Sequence, residues 1–61
     1  MVSKFNGTPT EYVKAMKEML KAGRTIEEVS NANHVALQNG LIGQKHFMAA
    51  AQMLVKEFLN K

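Results

Sequence analysis

Apolar residues recur every three or four positions in three stretches of the chain, and this period predicts amphipathic helices. The repeats are Tyr12, Val13, Met16, Met19 and Leu20; Ile26, Val29, Ala32, Ala36 and Leu37; and Phe47, Ala51, Leu54 and Phe58. The predicted helices cover about residues 8–22, 25–39 and 44–59. Short connections join them, as is typical of helices that fold back on one another. The sequence therefore predicts an all-α, three-helix domain over residues 1–61.

The first two predicted helices begin with capping boxes, in which a Thr and a later Glu bond to each other's backbone amides. These pairs are Thr8 with Glu11 and Thr25 with Glu28. Pro9 follows Thr8 at the first helical position, where a missing N–H costs nothing. The starts of both helices are therefore well defined.

Glycine marks the ends of these helices, because Gly23 and Gly40 suit the left-handed conformation that commonly follows a helix. The third helix starts differently. Gly43 replaces a side-chain cap, and the basic residues Lys45 and His46 occupy the turn where the helix dipole disfavours positive charge. Two interpretations stay open. Either the surface tolerates this small loss of helix stability, or the basic residues contact an acidic partner or a phosphate.

Two segments are less regular in sequence. The second helix contains Asn31–Asn33, which are poor helix formers, so both a continuous helix and a break fit the pattern. Residues 1–7 are predicted to form an irregular, flexible arm, and Phe5 is the candidate residue to anchor it to the rest of the domain.

The composition narrows the function classes. The chain has 61 residues, 46% of them hydrophobic, no Cys and a formal charge of +3. A chain this short buries a small core, and without Cys neither disulfides nor thiolate-bound metal can reinforce it. No apolar run is long enough to span a membrane, and residues 1–6 lack the apolar segment of a signal peptide. We therefore expect a cytoplasmic protein that does not bind membranes.

Few residues are suited to catalysis. His34 and His46 lie on different predicted helices, and neither Ser3 nor Ser30 sits on a sharp Gly-flanked turn. A hydrolytic triad needs a nucleophile, a base and a carboxylate side by side, and a helical zinc site needs paired ligands one turn apart. The sequence predicts no enzyme, no metal site and no cofactor.

The third helix is apolar over a wider arc than a single core contact requires. Met48, Val55 and Leu59 lie beside the repeat of bulky residues, while Met53 lies nearer the polar side and is expected to be an exposed contact. The predicted partner-binding residues are Phe47, Met48, Met53, Val55, Phe58 and Leu59.

Basic residues concentrate in the first 24 positions, where five stand against two Glu. A lysine stripe along one face of the first helix can follow a nucleic-acid backbone. The alternative is a solvated face in which Glu11 pairs with Lys14 and Glu18 with Lys21. The candidate nucleic-acid or anion contacts are Lys14, Lys17, Lys21, Arg24 and Lys45.

Residues 37–55 resemble the bacterial short C-terminal (SHOCT) module and similar small phage-encoded helical proteins. The matching positions are Leu37, Gly40, Ile42, Phe47 and Leu54-Val55. Gly43 stands where that module has a capping Thr, and His46 where it usually has Glu. The resemblance implies a helical hairpin of prokaryotic or phage origin that acts in protein interaction or oligomerisation.

These features favour a non-enzymatic module that binds a protein, with its own copy in a homodimer as one such partner. The surface used would be the apolar face of the third helix. One alternative is a small nucleic-acid-binding regulator that uses the basic face of the first helix. Another is a phage-type inhibitor of a host enzyme.

Overall fold

A computed structural model describes residues 5–60 of the chain, and the fold it contains is all-α. Helix α1 is Pro9–Lys21, α2 is Ile26–Gln38 and α3 is Gln44–Leu59, and no strand occurs within residues 5–60. The predicted ranges of α1 and α2 equal these bounds with the capping residues added, and the predicted range of α3 equals the helix itself. The prediction of a three-helix all-α fold is confirmed.

Both predicted capping boxes are present. The Thr8 hydroxyl accepts from the Glu11 amide at 3.2 Å, and the Glu11 carboxylate accepts from the Thr8 amide at 3.1 Å. Thr25 and Glu28 repeat this exchange at 3.1 and 3.2 Å. Each box satisfies two amides that a helix start would otherwise leave without partners.

Both predicted glycines end their helices. Gly23 has φ +101° and Gly40 has φ +72°. Residues that carry a Cβ rarely adopt such positive backbone angles. In the residue after each glycine, the Arg24 amide donates to the Met19 carbonyl at 3.2 Å and the Leu41 amide donates to the Ala36 carbonyl at 2.9 Å. This is the Schellman pattern, which closes a helix end and reverses the chain. The two reversals bring the helices back onto one another.

Helix α3 packs against both other helices, whereas α1 and α2 touch each other less. Its buried side carries Ala50, which is fully buried. The buried apolar residues of the core are Tyr12, Met16, Val29, Ile42, Ala50, Met53 and Leu54.

Helix α2 is continuous through Asn31–Asn33, which answers the question that the sequence left open. Asn33 is 2% exposed and holds two hydrogen bonds that link the three helices. The Tyr12 hydroxyl donates to its Oδ1 at 2.7 Å, and its Nδ2 donates to the Phe47 carbonyl at 3.3 Å. A polar side chain in the core is therefore paired on both its oxygen and its nitrogen, as burial requires.

Residues 5–8 precede α1 and are not helical, as predicted for the arm. The Phe5 amide donates to the Leu41 carbonyl at 2.8 Å, and its side chain packs on the core. The interpretation of Phe5 as an anchor is confirmed. Residues 1–4 of the predicted arm lie outside the described residues. Within residues 5–60, no helix is both long and apolar enough to cross a membrane.

Candidate functional site

Four large apolar side chains of α3 are exposed on one side of the helix. Met48 is 53% exposed, Val55 56%, Phe58 65% and Leu59 74%. At 100° per residue they fall within an arc of roughly 100°. We call Met48, Val55, Phe58 and Leu59 the outward face. These four predicted partner-binding residues are exposed side by side.

The prediction that Met53 is an exposed contact is wrong. Met53 is 7% exposed and belongs to the core, next in register to buried Ala50. The spacing of bulky residues alone predicts a buried arc of α3 centred on Phe47 and Leu54. In the structure α1 packs on the Met53 side and α2 on the Leu54 side, so the buried arc is rotated toward Met53.

Phe47 occupies an intermediate position between the core and the surface. It is half-buried, packs on the core and meets the His34 ring edge-on at 5.7 Å between centroids. Together α2 and α3 form a groove of about 260 Å³ beside the outward face. Val55 and Phe58 belong both to the outward face and to the wall of this groove. The apolar surface is therefore continuous from the outward face into the groove.

The predicted basic contacts are exposed but are not all free of acidic neighbours. Lys21 lies 3.9 Å from a Glu18 carboxylate oxygen, and Arg24 lies 3.7 Å from one of Glu28. Hydrogen bonds from the Thr25 amide and hydroxyl, with a smaller contribution from Arg24, lower the pKa of Glu28. The other candidates, Lys14, Lys17 and Lys45, are exposed as well, with Lys45 on α3.

His46 has a structural contact that no local sequence pattern predicts. Its Nε2 lies 2.8 Å from the Gly7 carbonyl oxygen, and its ring packs edge-on against Phe5 and Tyr12, each at 5.9 Å. Its Nδ1 is buried without a hydrogen-bond partner. His46 therefore ties the segment before α1 to the start of α3. The aromatic residue at position 5 was the one sequence signal that could have suggested this contact.

His34 is exposed, and across residues 5–60 no three His or Glu side chains come together in a way that could hold a metal ion. The chain matches no protein-family model, and neither curated proteins nor solved structures show significant similarity to it. The resemblance of residues 37–55 to the SHOCT module stays a prediction.

Proposed function

We propose that this chain is a non-enzymatic protein-interaction module that binds its partner through the outward face of α3. The observation that carries the proposal is the grouping of four exposed apolar side chains, Met48, Val55, Phe58 and Leu59, on one helix. Single exposed apolar residues are ordinary, but contiguous apolar patches on small proteins commonly mark interaction sites.

The energetics of a short chain support the same proposal. A domain of about 60 residues buries only about 60% of the surface that its unfolded chain exposes. Leaving four large apolar side chains in water gives up roughly 25 cal/mol for every Å² that a partner could cover. A partner on the outward face would recover that free energy and stabilise the fold by mass action. The resemblance of residues 37–55 to a module with interaction roles is in line with this.

Side-chain footprinting tests the proposal. A diazirine reagent would label the chain in the cells that produce it and, separately, as dilute purified protein. If a protein covers the outward face, labelling of Met48, Val55, Phe58 and Leu59 falls at least fivefold in cells. Equal labelling of the outward face in both samples would overturn the proposal.

Two internal controls make the footprint specific. Met53 is buried and should be labelled weakly in both samples, so a change there reports unfolding instead of binding. Lys14 and Lys17 are exposed on α1 and should be labelled equally in both samples. Protection of these lysines without protection of the outward face would instead favour the nucleic-acid-binding alternative.

A further inference from the structure

We propose that the partner on the outward face is a second copy of this chain, bound as an antiparallel α3–α3 pair. This inference rests on the proposed function and specifies its partner. Four features of α3 favour this pair: the spacing of its exposed residues, their self-complementarity, the charge at the helix start and the exposed apolar area.

The spacing of exposed residues on α3 is that of a helix-pairing seam. Met48, Gln52, Val55 and Leu59 are separated by four, three and four residues, and all four are exposed. This alternation of four and three keeps one stripe facing a partner helix. The stripe lies on the opposite side of α3 from buried Ala50 and Met53. A second helix can therefore bind there without disturbing the core.

The seam is complementary to itself when the second copy runs antiparallel. In this pair a twofold axis passes between the two α3 helices, at the level between Met53 and Leu54. It sets Met48 opposite Leu59 of the second copy. The same axis sets Gln52 opposite Val55 of the second copy, which brings the two Gln52 amides into neighbouring layers. A single polar residue in an apolar seam fixes the register of a helix pair. A twofold interface requires this kind of patch, in which each contact occurs twice.

The residues beside the seam also fit an antiparallel pair. Phe58 flanks the seam on the α2 side, and so does the small residue Ala51, one heptad earlier. In the antiparallel register, Phe58 of one copy crosses near Ala51 of the other, where a small side chain leaves room for the ring. The outward face itself carries no charge.

Lys45 selects between the two directions of pairing. In its own helix it stands in the first turn, where the dipole disfavours a cation. In an antiparallel pair it lies within about one turn of the last carbonyls of the other α3, where a cation is favoured. In a parallel pair it would face Lys45 of the second copy. The basic residue that broke the dipole rule in the sequence is therefore accounted for by antiparallel pairing.

The exposed area suits a weak dimer. With the roughly 150–250 Å² of a large aromatic side chain as the upper bound for each residue, the exposed fractions of the outward face amount to at most about 370–620 Å² per copy. Two copies with their rims reach roughly 1,200 Å², the lower end of specific interfaces. Interfaces at this lower end are typical of weak complexes, so we expect both monomer and dimer to be populated between about 1 µM and 1 mM.

Sedimentation equilibrium of the full chain tests the dimer directly. From about 1 µM to 1 mM, the average mass should rise from that of a monomer toward that of a dimer. Val55→Lys places a charge in the centre of the seam and should raise the dissociation constant at least 30-fold. Val35→Lys is the matched control, because Val35 is 44% exposed on α2, outside the seam and the groove. It should leave the dissociation constant within about twofold.

Disulfide trapping tests the direction of pairing, since the chain contains no natural Cys. A mixture of Met48→Cys and Leu59→Cys chains should give a mixed disulfide dimer within minutes of mild oxidation, while Met48→Cys alone should not. Rapid cross-linking of Met48→Cys alone would overturn the antiparallel arrangement.

The remaining outcomes separate the two proposals. Monomer mass throughout the range would overturn the second-copy inference, and so would equal effects of Val55→Lys and Val35→Lys. If that monomeric chain nevertheless shows a protected outward face in cells, the proposed function stands with a different protein as the partner. If the face is unprotected as well, both proposals fail.

Discussion

The two sides of α3 both carry apolar side chains, but one side is buried and the other is exposed. The inner face, Ala50, Met53 and Leu54, is buried between α1 and α2, whereas the outward face is more than half exposed. Both faces are apolar, so hydrophobicity alone does not distinguish the core from an interface. The difference lies in which neighbouring helices are present within the chain. Apolar surface that the fold leaves uncovered is therefore where a partner can be expected.

The largest difference between the two sides should appear when adjacent residues are truncated. Leu54→Ala removes buried methyl groups and should lower the free energy of unfolding by about 2–5 kcal/mol. Val55→Ala, one residue later, should change it by less than about 0.5 kcal/mol at a concentration where the chain is monomeric. Denaturant unfolding followed by circular dichroism measures both. Equal losses would mean that both sides of α3 are structural.

The next largest effect concerns the hydrogen bonds behind the inner face. Tyr12→Phe keeps the ring but removes the donor to Asn33, leaving a buried amide oxygen without a partner. The cost should be about 1–3 kcal/mol. The same denaturant measurement checks this value, and Tyr12→Phe should leave the mass distribution in sedimentation unchanged. A neutral substitution would show that the hydrogen bond adds no stability.

A smaller effect, of opposite sign, is expected at the start of α3. A Cβ at Gly43 would meet only the His46 Nδ1, at 3.7 Å, and the φ of −88° suits any residue. Gly43→Ser would supply the missing cap and place a hydroxyl near this unpartnered nitrogen. We expect about 0.5–1 kcal/mol of added stability. Gly43→Ala, which adds the Cβ without the hydroxyl, is the control and should not reproduce the gain.

The smallest expected effect is a dependence on alkaline pH. Burial raises the pKa of the Tyr12 hydroxyl above its ordinary value of 10.0, so the unfolded chain loses this proton first. The stabilisation is complete below about pH 10 and declines as the pH rises through the folded pKa. Urea unfolding between pH 9 and about 11.5 should show a steeper decline for the natural chain than for Tyr12→Phe. Parallel declines would contradict this assignment to Tyr12.

Local signals in the sequence were sufficient for the fold. The Thr–Glu boxes and the helix-ending glycines act within four or five residues, so their chemistry can be read from the chain itself. The contacts of Asn33 and His46 join residues that are 21 and 39 positions from their partners, Tyr12 and Gly7. No local pattern encodes such pairs.

The candidate site was predictable in part for the same reason. Met48, Val55, Phe58 and Leu59 follow from the width of the apolar arc, but Met53 was placed on the wrong side. Periodicity gives the angles between residues of one helix, and it does not give the directions from which two other helices approach. Those directions depend on the tertiary packing of α1 and α2, which shifts the buried arc of α3 toward Met53.

If the outward face of α3 is an interface between two copies, the melting temperature must depend on protein concentration. For a folded dimer, a 100-fold rise in protein concentration should raise the melting temperature by roughly 5–10 °C, since folding and association are linked. The Val55→Lys chain, whose dimer is at least 30-fold weaker, should show a clearly smaller shift over the same range. A natural chain whose melting temperature does not change with protein concentration would show that the outward face is not an interface between two copies.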